Sequence, residues 1–453
     1  MEKSFSILQI LSFSDIIKFF VTFYCDREVI SMSDVLSVEK KHHSPLVIWG
    51  VLVMFFIYQF IARSAFPTVL TEEYMKYFCL DAKGVGALVS CYYIIYTFVQ
   101  IPVGFIIDRF SLRLIAPFAV ITCATGVLIF VSTQNVLIAS IGQMLVGLGS
   151  AFSFLMILKA SIDLFPPERR AVMITLATSI GCLGPVVFGP LVAIIVRTFD
   201  WRSVMIAYTF TGYLLAGFIW YLIDDSNQKN STENNQKMSI IQSLKIIISS
   251  PQAWILAIFA LMQYSPLSAL ADLWGTSYIK KLYDADTAVS SFANNMIYLG
   301  MIAGGPLFSY FAVYIDSYKK TMILSSIGCA VVFATILFSG HYFSLYGMFA
   351  LFFLTGFFSS ATLHFTLAAV LLPREVGGAL SGFVNMGSML SGVILMPLIG
   401  YLIDSSWDGT IENGLKVYSL ADFRFGLSSV FVTLLLGVLF VLFMKDKSPK
   451  AAE

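Results

Sequence analysis

Long apolar runs recur along the chain, and short polar breaks separate them. A helix needs about 20 apolar residues to cross a bilayer, and the runs are of that order. They predict spans over residues 46–68, 84–107, 112–132, 136–161, 172–196 and 203–223. A stretch rich in Asn, Gln, Ser and Lys follows. The second set is predicted over 253–278, 289–314, 321–340, 344–371, 379–403 and 425–444. The expected organisation is an N-terminal segment (1–45), a six-helix bundle (46–223), a linker (224–252), a second six-helix bundle (253–444) and a tail (445–453).

The two sets repeat. Leu-Phe-Pro166-Pro-Glu168-Arg returns as Leu-Leu-Pro373-Arg-Glu375, 207 residues later. At the same offset Pro190-Leu191 meets Pro397-Leu398, and Gly181 meets Ser388. Ile107-Asp108 has a shifted echo in Ile315-Asp316. An offset equal to the spacing of the two sets points to a duplicated six-helix unit.

Composition agrees with lipid as the solvent. Of 453 residues, 58% are hydrophobic and 12% charged, against roughly 25% charged in a soluble protein. A net charge of +1 offers nothing to nucleic acid. Six scattered cysteines lack paired spacing, which argues against a disulfide framework or a metal site. No His-Glu-x-x-His, Gly-x-Ser-x-Gly or phosphate-binding loop is present, so neither an intramembrane enzyme nor an ATP-driven pump is expected. No cofactor is implied. Residues 1–31 are interrupted by Asp15, Lys18, Asp26 and Arg27. They read as an interfacial amphipathic helix, or else Met32 is the start and Ser-Asp-Val-Leu-Ser-Val-Glu-Lys-Lys a short cytoplasmic lead. With the loop after the second span inside, 18 Lys and Arg lie inside and 8 outside, so both termini are expected in the cytoplasm.

That loop carries the most telling motif, Gly104-Phe-Ile-Ile-Asp108-Arg109-Phe-Ser-Leu-Arg113. Gly104 would admit a close backbone neighbour. Asp108 can accept charge-assisted bonds, and Arg109 and Arg113 would share a face if the turn stayed helical. The motif resembles the signature Gly-x-x-x-Asp-Arg-x-Gly-Arg-Arg of major facilitator superfamily (MFS) transporters, with Ser111 and Leu112 departing from it. The resemblance spans about residues 45–445. It implies an all-α membrane protein of twelve transmembrane helices in two pseudo-symmetric six-helix bundles, with a gating loop at Gly104–Arg113. It also implies alternating access to a site near the bilayer midplane. Tyr58-Gln59-Phe-Ile-Ala-Arg63-Ser, Leu158-Lys159 and Phe165-Pro-Pro-Glu-Arg are similar to a bacterial organic-solute carrier branch. Relatives there often carry a carboxylate where Gln59 stands. Gly184-Pro185 and Gly189-Pro190 read as helix-bending sites. Their string also resembles one associated with proton-driven antiporters, which keeps efflux as an alternative. A non-transporting sensor on a carrier fold is the alternative of another class.

Ionisable groups at bilayer depth normally face a partner or a watery cavity. Arg63 and Asp272 are 209 apart, near the repeat offset. They either pair across the outer entry or snorkel to the headgroups. Lys159 and His364 are 205 apart, toward the inner ends. Lys159 is a candidate for an anionic group or for a pair with Asp163, and His364 for a coupling proton. Tyr58, Gln59, Tyr96, Gln143, Gln263, Tyr264, Asn295 and Asn385 complete the substrate and coupling candidates; Tyr92 and Tyr93 adjoin Tyr96. The expected partners are the lipid bilayer, a small anionic or zwitterionic solute and protons. The expected setting is a bacterial inner (plasma) membrane, with the monomer as the working unit.

Overall fold

The computed structural model describes residues 44–223, 240–359, 361–372, 376–412 and 415–446. The readings for residues 1–43, for most of the linker and for the end of the tail lie outside these. Among the described residues, twelve helices are long and apolar enough to cross a membrane. Spans 1 to 6 are Pro45–Val69, Ala82–Ile107, Leu112–Ser132, Val136–Leu164, Glu168–Ile195 and Trp201–Leu222. Spans 7 to 12 are Pro251–Tyr283, Thr287–Ile315, Tyr318–Tyr342, Leu345–Ala368, Gly378–Ser406 and Leu420–Leu442. Phe118, Leu137 and Leu214 stand more than half exposed on their outer surface, where lipid is the fitting solvent.

Several spans run longer than their apolar stretch. Hydrophobicity marks the part that crosses lipid, while the hydrogen-bond ladder continues until a cap stops it. Asn135 Oδ1 accepts from the backbone N–H of Leu137 and Ile138 at the start of span 4. Ser419 and Asp422 form a reciprocal capping box at span 12. Span 7 reaches 33 residues, with Lys280 and Lys281 in its last turn, where cations suit the unpaired carbonyls.

Four features escaped the apolar pattern. A helix, Ile240–Ile248, occupies part of the expected linker. A short helix, Thr71–Phe78, follows span 1. A two-stranded hairpin, Ile411–Glu412 with Leu415–Lys416, precedes span 12, with Ile411 opposite Lys416. Finally, spans 1 and 7 each widen into a π-helical segment, Ile61–Ala65 and Leu267–Trp274. Proline accounts for part of this. Pro67 has no N–H for the carbonyl four residues back, at Arg63, and the Phe66 N–H reaches Ile61 O instead. In span 7 the carbonyl that Pro266 leaves open, Met262 O, accepts from Ser265 Oγ at 2.6 Å.

The halves meet along two seams, span 2 against span 11 and span 5 against span 8. Adding the repeat offset to one seam produces the other. Glycine makes the first seam close: a Cβ at Gly86 would lie 2.4 Å from Met396 O, and one at Gly400 would lie 2.3 Å from Ala82 O. With an even number of spans, Ser44 and Asp446 fall on one face, called here the termini face. Thr71–Phe78 and the hairpin lie on the far face.

Candidate functional site

The two π segments touch, and spans 1 and 7 meet there across the halves. A π turn inserts one extra residue into the helix and swings the side chains that follow it. In span 1 it aims Arg63 and Ser64 at span 7; in span 7 it aims Asp272 back. Ser64 Oγ donates to Ala271 O at 2.8 Å. Arg63 Nη2 lies 3.2 Å from Asp272 Oδ2 and 2.6 Å from the Tyr264 hydroxyl. Asp272 also accepts from the hydroxyls of Tyr93 in span 2 and Tyr298 in span 8. Tyr298 OH further meets Ser64 Oγ at 3.0 Å.

One carboxylate on span 7 therefore gathers a guanidinium and two phenols from three other helices. Arg63 is 4% exposed and Asp272 0%. Phe60 lies under the guanidinium, 4.6 Å from its ring centroid, in cation–π range. The guanidinium is not fully satisfied, because its buried Nε has no hydrogen-bond partner. Chemically, the site offers a desolvated cation to a carboxylate. In this conformation its own aspartate fills that place.

Further ties between the halves gather on the far face. Lys280 Nζ is 2.9 Å from Glu72. Arg197 pairs with Asp286. Lys416 bridges Asp81 at 3.3 Å and Asp404 at 3.2 Å. Among the described residues, three contacts of the termini face stay within one half. Lys159 Nζ donates to Ile107 O at 2.5 Å. Arg113 lies over Trp220, 5.1 Å from its ring. Ser317 Oγ donates to Asp446 at 2.6 Å. These ties hold the two halves together on the far face.

Other expected residues sit away from the pair. Tyr58 stacks on Tyr208 at 4.3 Å, in the seam between spans 1 and 6. Gln59 Oε1 accepts from Tyr92 OH at 3.0 Å. Tyr96 is within hydrogen-bonding reach of Gln100 and, across the halves, Asn385. Gln143 is buried on span 4. Gln263 Nε2 donates to Phe358 O at 2.9 Å inside the C-terminal half. Asn295 Nδ2 donates to Pro185 O at 2.7 Å, which ties span 8 to span 5. His364 Nε2 is 3.4 Å from Ser388 Oγ, and its buried Nδ1 has no partner. Span 5 stays helical through Pro185 and Pro190. Gly184 faces Ile57, and Gly189 faces Asn295 and Ser291.

The loop after span 2 differs from expectation. A Cβ at Gly104 would meet nothing within 4 Å, because no neighbouring backbone packs there in this conformation. The turn does not stay helical. Helix ends at Arg109, and Phe110 and Ser111 are extended. Arg109 and Arg113 therefore belong to two different helices. The side chain of Asp108 lies outside the described residues.

Tyr298 was not among the expected residues. One signal pointed to it: it stands 205 residues after Tyr93, close to the repeat offset. Ser64, Asp404 and Tyr418 carried no comparable mark. Among the described residues, no group of three or more His, Cys, Asp or Glu could hold a metal ion.

Comparison with known proteins follows the same outline. The family model described as Major Facilitator Superfamily matches residues 51–312 and 273–453. The "Uncharacterized transporter YybO" of Bacillus subtilis is 26% identical over 88% of this chain and 96% of its own length. The "Probable galactarate/D-glucarate transporter GudP" of Escherichia coli is 21% identical over 84% and 91%. The "Hexuronate transporter" of B. subtilis is 24% identical over 76% and 86%. A solved bacterial homologue of the human lysosomal transporter Spinster, inward-facing and unoccupied, superposes with a TM-score of 0.73 at 14% identity. That match covers 88% of this chain and 96% of that one.

Proposed function

This chain belongs to the Major Facilitator Superfamily, and from that premise we propose that it carries a small organic acid across the plasma membrane by secondary active transport. That it is a multi-pass membrane transporter rather than an enzyme follows from the family and from its transporter relatives. The acid is the finer step, and Arg63 is the observation that carries it. A buried guanidinium at the junction of the halves, with an unsatisfied Nε, is the group a carboxylate would seek. Lys159, the other cationic candidate, is already bonded to a helix-end carbonyl. The names of the relatives, galactarate, D-glucarate and hexuronate carriers, fit a polyhydroxylated acid.

In this reading the far face is the outer one, in line with the excess of Lys and Arg on the other side. Opening it parts Arg63 from Asp272 and exposes the guanidinium to external solute. Closing it about the bound acid and parting the halves on the termini face releases the cargo inward. The seams between spans 2 and 11 and spans 5 and 8 are the surfaces that rock.

The test is counterflow in liposomes holding purified protein and no ATP. Labelled galactarate, glucarate or a hexuronate should exchange against unlabelled acid inside, and Arg63→Ala should abolish exchange. No exchange of any of these acids would overturn the cargo class.

A further inference from the structure

We propose that the groove between spans 1, 5 and 6 binds one acyl chain of a phospholipid from the far-face leaflet, and that this chain packs behind the part of span 1 that carries Arg63. The site does not depend on the cargo. Spans 5 and 6 both pack on span 1, and glycine sets where. A Cβ at Gly184 would lie 3.3 Å from Ile57 Cγ2, and one at Gly212 would lie 2.3 Å from the Tyr58 hydroxyl. These two contacts seat both helices closely on span 1. Toward the far face larger side chains take over, Leu191 from span 5 and Val204 and Tyr208 from span 6. Together with Ile57 and Ile61 of span 1 they line a groove of about 400 Å³, a volume in the range of small-molecule sites.

Three observations identify the occupant. The first is position. Met54, Phe188 and Leu191 line the groove and are each more than a third exposed. All three lie well inside their spans, so the groove opens sideways to lipid and not to water. The second is length. On span 6 the lining runs from Val204 to Leu215, which at 1.5 Å per residue is about 16 Å. That is the depth of one leaflet of a hydrocarbon core about 30 Å thick. The third is chemistry. Among the described lining residues none is charged, and the hydroxyls of Tyr58, Tyr208 and Thr211 are all turned to backbone carbonyls. Tyr58 OH lies 3.5 Å from Tyr208 O, Tyr208 OH donates to Tyr58 O, and Thr211 Oγ1 donates to Tyr208 O at 2.7 Å. A sugar acid or a peptide would give up its hydrogen bonds to water there with nothing in exchange. An alkyl chain gives up none.

The chain touches span 1 where that helix changes form. Ile61 is the first residue of the π segment and lines the groove. Arg63, two residues on, reaches Asp272 of span 7. A bound chain adds apolar burial and dispersion contacts to span 1 on the side of Ile57 and Ile61. The lipid therefore stabilises the N-terminal half at the segment that presents Arg63 to the other half.

Two measurements on the full-length protein test this. The first adds phosphatidylglycerol with a diazirine on one acyl chain, at a few molecules per protein in detergent micelles. On illumination it should label Met54 or Leu191 several-fold more than Phe118 or Leu137, which are exposed on spans 3 and 4. Leu191→Trp and Thr211→Trp each put an indole into the groove. Either should remove most of the label from Met54 and leave that on Phe118. Thr211 is at the exposed rim, so its variant keeps the test readable if Leu191→Trp does not fold. Equal labelling of Met54 and Phe118 in the wild type would overturn the proposal, because it describes a lipid coat without a site. Label on Met54 that survives both tryptophans would overturn it as well. The second measurement follows thermal unfolding in the same micelles. Long-chain phosphatidylglycerol should raise the wild-type Tm by several degrees, and the rise should be largely lost in Thr211→Trp. Glycerophosphoglycerol, the same headgroup without chains, should do nothing. A rise with the headgroup alone would overturn the acyl chain as the ligand. A wild-type dimer that the tryptophan variants dissociate, with no label on Met54, would put a second copy in the groove and overturn the lipid.

Discussion

Spans 2 and 8 begin at equivalent places in the two halves, yet the far-face ends of these helices are held in different ways. Each starts on an aspartate cap: Asp81 accepts from Gly84 N at 2.9 Å, and Asp286 from Ala288 N at 2.8 Å. Each aspartate also faces a cation of the opposite half. At span 8 that is the whole arrangement: Arg197 and Asp286 are 52% and 46% exposed. At span 2 the end of span 11 and the residue Tyr418 add more. Ala82 N donates to Tyr418 OH at 3.1 Å, and Lys83 N to Asp404 Oδ2 at 2.7 Å. Two of the orphan N–H groups at the head of span 2 thus find their acceptors in the other half. The repeat set where both helices start. The end of span 11 and the segment before span 12 make one of the two starts a latch. The physical consequence is an asymmetric gate: parting the far face strips backbone partners at span 2 and only an exposed ion pair at span 8.

Three perturbations would break or sharpen that contrast. The largest effect is expected from Asp404→Ala, which removes the acceptor of Lys83 N–H, the Tyr418 hydroxyl and Lys416 together. A shift of about 2–3 kcal/mol toward the far-open state should follow, read from far-face distance distributions. Next is acid. Burial works against ionisation of Asp81, but the Gly84 N–H and Lys416 outweigh it and hold the carboxyl below its ordinary 3.8. A lowered carboxyl contributes to the closed state in full above its ordinary value. That contribution is lost as pH falls through the lowered one. The closed-state advantage of wild type over Asp81→Asn, read from far-face distances, should therefore be full above about pH 4 and vanish only below it. Loss of that advantage at neutral pH would mean that Asp81 does not serve the latch. The smallest effect is expected from Arg197→Gln, about 0–1 kcal/mol and erased by salt. If that change opened the far face as much as Asp404→Ala, the two ends would be equivalent after all.

Much of the architecture was readable from residues alone. Span count and the division into halves follow from apolar length and from a repeat that needs no coordinates. The candidate site was readable in part, and the misses share a cause. Tyr58 and Tyr96 were grouped with Arg63 because they neighbour it in sequence or in span depth. Rotation about the helix axis placed Tyr58 against Tyr208 instead. Proximity along the chain says nothing about that angle once a π turn adds a residue. Lys159 offered two partners at one-turn spacing or across a cavity, and its bond to Ile107 O comes from another helix altogether.

The sequence by itself determined what must be buried in lipid and what must not, because the cost of a bare backbone or charge in hydrocarbon depends on composition and length alone. Tertiary structure decided which polar groups meet. Whether Arg63 finds Asp272, and whether the head of span 2 finds Asp404, depends on helix rotation, π insertions and the approach of two halves more than 200 residues apart. Each of those is set by packing summed over many neighbours, and no local pattern records it.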